Sequence, residues 1–186
     1  MKTLGRKTPT KAELSAAEGA HLPDVLAPGL RVLFCGINPG LYSAAIGHHF
    51  GRPGNRFWAA LLAGGFTDRL LTPWEQQELL QFGCGLTNLV ERASAGAAEL
   101  RPAELLAGRA ALEAKLQGSP PRWIAVLGIG AYRTAFNQPQ AGLGQQAERL
   151  GASGLWVLPN PSGLNAHHQP RQLAALFREL RETAFG

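Results

Sequence analysis

Two asparagine-proline turns carry the side chains of this sequence that are best placed for chemistry. Asn38 precedes Pro39, and Asn160 precedes Pro161. Because proline disfavours helix at the residue before it, each asparagine is held in an extended backbone. A carboxamide both donates and accepts hydrogen bonds, but it cannot accept a full proton. Either turn alone is an ordinary turn signal; together at parallel strand ends, they favour a site in which the two carboxamides position a ligand.

The segments around these turns predict an α/β fold. Short β-prone apolar runs precede both turns, and amphipathic helical spacing separates such runs along the chain. Parallel strands covered by helices on both faces bind ligands beyond their carboxyl ends, so both turns should open into one cleft. Residues 85–90 fit either a strand or a strand-like loop. The predicted strands are 30–35, 123–128 and 155–159, and the predicted helices are 55–62, 72–80, 101–116 and 170–184.

Length and composition indicate one domain with a short extension. The chain has 186 residues, of which 45% are hydrophobic, and this excludes wholesale disorder. Residues 1–20 show little apolar periodicity and predict a basic flexible tail, followed by a single domain at 21–186. No apolar run approaches the roughly 18 residues of a membrane span, and no apolar stretch follows Lys2 and Arg6. We expect a soluble, cytoplasmic protein, nucleoid-associated if it is prokaryotic.

The residues that commonly bind metals and cofactors are sparse. The only cysteines, Cys35 and Cys84, exclude a four-cysteine zinc or iron–sulfur site. His48 and His49 point to opposite sides of an extended segment, and no second ligand pair stands at metal-binding spacing. The glycines at 128–130 lack the rest of a dinucleotide-binding motif. We expect no metal and no cofactor.

The net charge of +5 favours a polyanionic partner, although a simple solubility charge fits it equally well.

Four segments, taken in order, resemble the mismatch-specific uracil-DNA glycosylase and thymine-DNA glycosylase family. They are 36–40, 47–58, 87–92 and 160–164, and the resemblance extends over roughly residues 25–183. It implies a uracil-DNA glycosylase fold: three α/β/α layers with a short, mostly parallel central sheet. It also implies a monomer that acts in base excision repair on double-stranded DNA containing a mismatched or damaged base. There the enzyme would flip uracil, or another modified pyrimidine, and hydrolyse its N-glycosidic bond, especially opposite guanine.

The resemblance assigns roles around the base. Asn38 would hold the attacking water, and Phe50 would stack on the base, although Phe50 also fits an ordinary core position. The main chain around Ile37 would hydrogen-bond the base, and His49 would lie near the base or the water. Asn160 would brace the pocket.

The resemblance also assigns DNA contacts. Gly163 and Leu164 correspond to the wedge that fills the stack and reads the opposite guanine, although Leu164 also fits a hydrophobic loop contact. Arg52 and Arg56 would contact phosphates. Relatives often carry an arginine where this chain has Ala166, so strand plugging would depend on Leu164.

Another departure concerns the base itself. Thymine-tolerant relatives carry a small apolar residue near the pyrimidine 5-position, where this chain has Ser43. Uracil is therefore the expected substrate.

Two further expectations concern ionisable side chains. Glu91 fits a surface ion pair with Arg92 or another arginine; pointing inward, it would instead assist the water that Asn38 holds. The chain has four lysines, and none lies in a motif where a Schiff base could form. A monofunctional glycosylase is therefore expected. The alternatives are a non-catalytic damaged-DNA or nucleotide-binding module with the same pocket, and a phosphate-binding hydrolase of small nucleotides.

Overall fold

The computed structural model describes residues 8–163 and 167–186, which contain a five-stranded sheet. Four strands are parallel, and the edge strand β4 runs antiparallel to β5. The spatial order is β2-β1-β3-β5-β4. The strands are β1 (Val32–Gly36), β2 (Cys84–Asn88), β3 (Trp123–Leu127), β4 (Gly144–Leu150) and β5 (Ser153–Leu158).

Helices connect the strands. The α-helices are α1 (Lys11–Ala16), α2 (Leu41–Ile46), α3 (Phe57–Ala63), α4 (Pro102–Leu116), α5 (Ile129–Ala135) and α6 (Pro170–Phe185). Two 3₁₀ helices span Pro73–Phe82 and Ala97–Glu99. Among the described residues, no helix has both the length and the apolar character needed to cross a bilayer.

Each face of the sheet has its own apolar core, because side chains alternate along every strand. Phe34 of β1 points to one face, where its ring packs against Phe57 of α3 and Phe177 of α6. Leu33 points to the other face and joins the residues that α4 and α5 bury. The expected α/β/α layers and mostly parallel sheet are therefore confirmed.

Most predicted elements are found within a few residues of their expected bounds. Residues 85–90 prove to be a strand that ends at Asn88. The predicted α-helix at 72–80 is a 3₁₀ helix, and Glu75 inside it has φ −99° and ψ 15°, outside the α-helical range. Strand β4 was not predicted, because it is an edge strand whose exposed side chains, such as Gln145 and Arg149, lack an apolar pattern.

Residues 8–20, the described part of the predicted tail, contain a short helix and backbone hydrogen bonds to the rest of the protein. A capping box starts α1: Thr10 Oγ1 accepts a hydrogen bond from Glu13 N–H at 3.2 Å, and Glu13 Oε2 accepts one from Thr10 N–H at 2.7 Å. After α1, Gly19 and Ala20 exchange backbone hydrogen bonds with Ala93. The weak apolar periodicity of this segment did not predict its ordering, which depends on these polar contacts.

Candidate active site

A cavity of about 220 Å³ lies where β1, β2 and β5 end. The turn after β1 supplies Asn38, β2 ends at Asn88, and the turn after β5 supplies Asn160. The two asparagine-proline turns therefore open into one cleft, as predicted. The volume lies below the roughly 300 Å³ at which pockets for drug-sized ligands begin. A single small ring is the kind of ligand that this space suits.

Hydrogen bonds fix which atom of the Asn38 carboxamide is bound by protein. Its Nδ2 donates to Ser94 Oγ at 2.8 Å and to the Arg92 carbonyl at 3.1 Å. Ser94 Oγ in turn donates to the Gly96 carbonyl at 2.9 Å, so it must accept from Asn38. Because both partners are acceptors, the amide nitrogen of Asn38 must face them. The Oδ1 atom, which accepts from no donor in the described chain, remains available to a hydrogen of a water or ligand.

A second carboxamide, that of Asn88, lies in the cavity wall at the end of β2, beside Gly36 of β1. Asn88 is buried, and its Oδ1 lies close against Gly36: a Cβ at position 36 would stand 2.5 Å from that oxygen. Only glycine leaves this space. The Asn88 Nδ2 lies 3.5 Å from Nδ1 of His49, at the long limit of a hydrogen bond.

His49 is a neutral ring held in one tautomer. Its Nε2 lies 2.9 Å from the carbonyl oxygen of Pro23, which can only accept, so Nε2 carries the hydrogen. Burial lowers the pKa of His49 below its ordinary value, against a smaller opposing effect of the same carbonyl. The Nδ1 atom therefore carries a lone pair, which faces Asn88.

Phe50 forms an aromatic wall of the cavity. Its ring stacks on that of Phe57 with centroids 4.0 Å apart and an interplanar angle of 26°. The backbone of Phe50 has φ +51°, a left-handed conformation that is uncommon for residues other than glycine. One side of Phe50 packs against the core, and the residue also lines the cavity. The core position is therefore found, and stacking of Phe50 on a base stays a prediction.

Ser43 and Ile37 also lie in the cavity wall. Ser43 Oγ accepts a hydrogen bond from the Gly51 N–H at 3.0 Å, which ties α2 to the loop that carries Phe50. The carbonyl of Ile37 accepts from Val90 N–H at 2.9 Å and is therefore occupied within the protein.

The turn after β5 lies close to the loop at 52–55. Oδ1 of Asn160 accepts from Ser162 N–H at 3.0 Å, a contact within its own turn. A Cβ at Gly163 would stand 2.5 Å from the Gly54 carbonyl, so the two loops approach as closely as glycine allows. Leu164, the predicted wedge, and Ala166 lie outside the described residues.

The two arginines predicted to contact phosphates differ. Arg52 is exposed at the mouth of the cavity. The guanidinium of Arg56 instead donates to the carbonyls of Ser162, at 2.9 Å, and His168, at 2.6 Å. Arg56 therefore braces the turn after β5 through these two carbonyls, and its predicted phosphate contact stays a prediction.

Glu91 lies outside the cavity wall, so the inward orientation is wrong. Its carboxylate lies 3.1 Å from Lys115 Nζ and 3.4 Å from His21 Nδ1, and Lys115 holds its pKa below the ordinary value. The surface ion pair is found, although its partners are not arginines. Lys115 is also 2.7 Å from Asp24 Oδ2, which holds this amine in a double ion pair away from the cavity.

Other reactive groups do not converge on the site. Burial raises the pKa of Cys35 and of Cys84 to about 12, so neither thiol is a nucleophile near neutral pH. Within the part of the chain that is described, no three His, Cys, Asp or Glu side chains come together as a metal site.

The sequence analysis missed two residues of this site, Asn88 and Ser94. Asn88 stands at the end of a parallel strand, as Asn38 follows one, so a firm strand assignment at 85–90 would have placed it in the cleft. Ser94 had no such signal, because only the path of the loop after β2 brings it to Asn38.

Comparison with known protein families agrees with this geometry. Residues 23–181 match the family model of the uracil DNA glycosylase superfamily. The match spans most of the chain and includes the three strand ends that form the cavity. The chain belongs to the uracil DNA glycosylase superfamily.

Proposed function

We propose that this protein is a monofunctional DNA glycosylase that hydrolyses uracil from duplex DNA, with preference for uracil opposite guanine. The observation that carries the proposal is the orientation of Asn38. Its amide nitrogen is bound by Ser94 and Arg92, so its Oδ1 can hold a water. Membership of a superfamily of DNA glycosylases supports the same reaction class.

The reaction requires a water and a leaving base on opposite sides of a sugar carbon. As the N-glycosidic bond breaks, the sugar becomes oxocarbenium-like and the base takes the electron pair. Asn38 Oδ1 accepts one hydrogen of the water and directs its lone pair to the sugar carbon. Once the new C–O bond has formed, the water releases its proton to solvent, and the departing base anion takes up a proton from solvent. Because an amide cannot take the proton during the attack, general-base assistance of about 100- to 10,000-fold is lost. We expect a slow enzyme that depends on orientation.

The cavity walls provide for the base. The ring of Phe50, backed by Phe57, offers a stacking surface. The amide of Asn88 offers both a donor and an acceptor to the polar edge of a pyrimidine. Preorganised donors of this kind contribute about 3 kcal/mol each when they face developing negative charge.

A neutral His49 leaves the cavity without a buried cation. Stabilisation of the leaving base then depends on amide dipoles and backbone N–H groups. The neutral ring also avoids electrostatic competition with the positively charged sugar of the transition state.

Ser43 bears on which pyrimidine the cavity would accept. The Ser43 hydroxyl lies in the cavity wall and is bound to Gly51, so a polar group stands where a thymine methyl would need apolar contact. We therefore expect uracil to be preferred over thymine.

Arg52 at the mouth of the cavity would contact a DNA phosphate. Arg52→Ala should then lower the slope of log affinity against log salt concentration by about one, the value for one phosphate contact.

The positions of the two described lysines support a monofunctional mechanism, in which no amine attacks the sugar. Lys11 lies on α1, and Lys115 is held by Asp24 and Glu91. Neither amine lines the cavity, so neither can attack the sugar from its present position.

The decisive experiment uses a labelled duplex with a single U·G pair. Cleavage at that position only after alkali treatment supports the proposal, and cleavage without alkali contradicts the monofunctional mechanism. Binding without cleavage would instead indicate a damage-recognition module. Turnover of free nucleotides, with indifference to the duplex, would indicate a small-nucleotide hydrolase. Gln117→Ala, which removes an exposed carboxamide that does not line the cavity, is the control for Asn38→Ala.

A further inference from the structure

We propose that Arg92, held by Glu104, is a positioning residue for Asn38. The inference rests on the proposed function, in which Asn38 holds the attacking water. Arg92 lies between the protein surface and the cavity: its guanidinium contacts α4, and its carbonyl contacts the Asn38 amide.

The inner side of this arrangement is a set of acceptors on one short loop. Asn38 Nδ2 donates to the Arg92 carbonyl and to Ser94 Oγ, two residues apart. The Ser94 backbone N–H also donates to the Pro39 carbonyl at 3.1 Å. The direction of the Asn38 side chain therefore depends on the position of this loop.

The outer side is a two-point ion pair. Arg92 Nε donates to Glu104 Oε1 at 2.6 Å, and Arg92 Nη2 donates to Glu104 Oε2 at 3.1 Å. The same Glu104 caps α4 by accepting from Arg101 N–H at 2.9 Å. Because two parallel hydrogen bonds fix both distance and angle, the loop is held to the first turn of a fifteen-residue helix.

Ionisation of Glu104 maintains the pair over the working range of pH. The hydrogen bond from Arg92, followed by that from Arg101 N–H, lowers the pKa of Glu104 to about 2. The carboxylate is therefore charged at any pH at which the enzyme would be assayed.

The main competing explanation is that Arg92 contacts a DNA phosphate. The two roles predict different effects of Glu104→Gln: one changes the affinity for DNA, and the other changes the rate of the chemical step. If Arg92 contacts a phosphate, loss of the ion pair would free its guanidinium, and DNA binding would tighten. A positioning residue would lose its anchor, and the chemical step would slow while binding stayed the same.

The chain contains a close control for Glu104→Gln. Glu75 is likewise the third residue of a helix, caps it by accepting from Thr72 N–H at 2.8 Å, and pairs with an exposed arginine, Arg69. Glu75→Gln therefore removes the same kind of charge from the same kind of cap, and Glu75 does not line the cavity.

The first measurement is the single-turnover rate on the U·G duplex. Glu104→Gln should lower it about tenfold, within the range expected when a reacting group is displaced by less than 1 Å. Duplex affinity should stay within threefold of wild type. Glu75→Gln should change neither. Arg92→Lys, which keeps the charge but loses the two-point geometry, should slow the reaction like Glu104→Gln.

The second measurement does not need activity. Hydrogen exchange of the Asn38 side-chain amide, followed by NMR with ¹⁵N-asparagine and assigned by its absence in Asn38→Ala, should speed up at least fivefold in Glu104→Gln. It should not change in Glu75→Gln. If wild-type protein does not release uracil, the proposed function fails, and the exchange rates alone decide the role of Arg92. Unchanged exchange, or an unchanged rate in an active enzyme, overturns the inference.

Discussion

The two asparagine-proline turns share a local sequence and open into the same cavity, yet their carboxamides contact different parts of the chain. Asn38 uses its nitrogen, which donates to the loop at 92–94. Asn160 uses its oxygen, which accepts from Ser162 N–H two residues along. The shared motif thus fixes the backbone of both residues, but contacts with other parts of the chain differ between them. In the proposed mechanism, Asn38 serves the reaction, whereas the contact of Asn160 with Ser162 N–H lies within the turn after β5.

The largest expected effect is that of Asn38→Ala. Removing the carboxamide removes the acceptor for the attacking water, and a misplaced reacting group lowers rates by about 100-fold or more. Single-turnover cleavage of a U·G duplex should fall by at least this factor, while duplex affinity stays within a few fold. An equal loss of rate and affinity would remove the functional difference between the two turns.

Asn38→Asp tests whether the bound nitrogen matters. In this variant a carboxylate oxygen would face the Arg92 carbonyl, which lies 3.1 Å from the present Nδ2 and cannot donate. We expect a rate at neutral pH as low as that of Asn38→Ala, although aspartate is a stronger base. A faster Asp variant would show that proton transfer, rather than orientation, limits the reaction.

Asn160→Ala should have a smaller and different effect. The lost hydrogen bond to Ser162 N–H contributes about 1 kcal/mol, which corresponds to about fivefold. Because this turn packs against the loop that carries Gly54, we expect slower processing of duplex uracil. Uracil in single-stranded DNA, which needs less flipping, should be cleaved almost as fast as by wild type. Equal losses on both substrates would assign Asn160 to the chemical step.

The comparison also shows what the sequence could predict. Proline after Asn38 and Asn160, and the apolar runs before them, are local signals. Strands β1 and β5, the turns after them and their common cleft were therefore predicted correctly. The direction of the Asn38 amide was not predictable, because its partners stand 54 and 56 residues away. The carbonyl contacts of Arg56 were not predictable for the same reason: nothing local shows that its guanidinium binds carbonyls 106 and 112 residues along the chain.

His49 resembles Asn38 in that a backbone carbonyl decides which of its atoms is bound. Burial lowers its pKa, so the folded state keeps the ring neutral at a pH where the unfolded chain, with a pKa of about 6.5, takes up a proton. This contribution to stability is complete above about pH 6.5. It declines as pH falls towards the folded pKa, by up to about 1.4 kcal/mol per pH unit.

His49→Gln should therefore flatten the acid side of the stability curve. The free energy of unfolding, measured with urea between pH 5 and pH 8, should change less with pH in this variant than in wild type. His167→Gln, which alters an exposed histidine, provides the control. Parallel curves for wild type and His49→Gln would show that folding does not lower the pKa of this ring.

Glu91→Gln should have the smallest effect, and it separates the two sides of the loop after β2. Arg92 and Ser94 contact Asn38, whereas the carboxylate of Glu91 faces Lys115 and His21 and is about half exposed. Exposed ion pairs contribute about 0–1 kcal/mol, so the melting temperature should move by at most a few degrees. The single-turnover rate should equal that of wild type from pH 5 to pH 9. A rate loss that varies with pH would place a titrating carboxylate in the reaction, and the amide of Asn38 would then not act on the water alone.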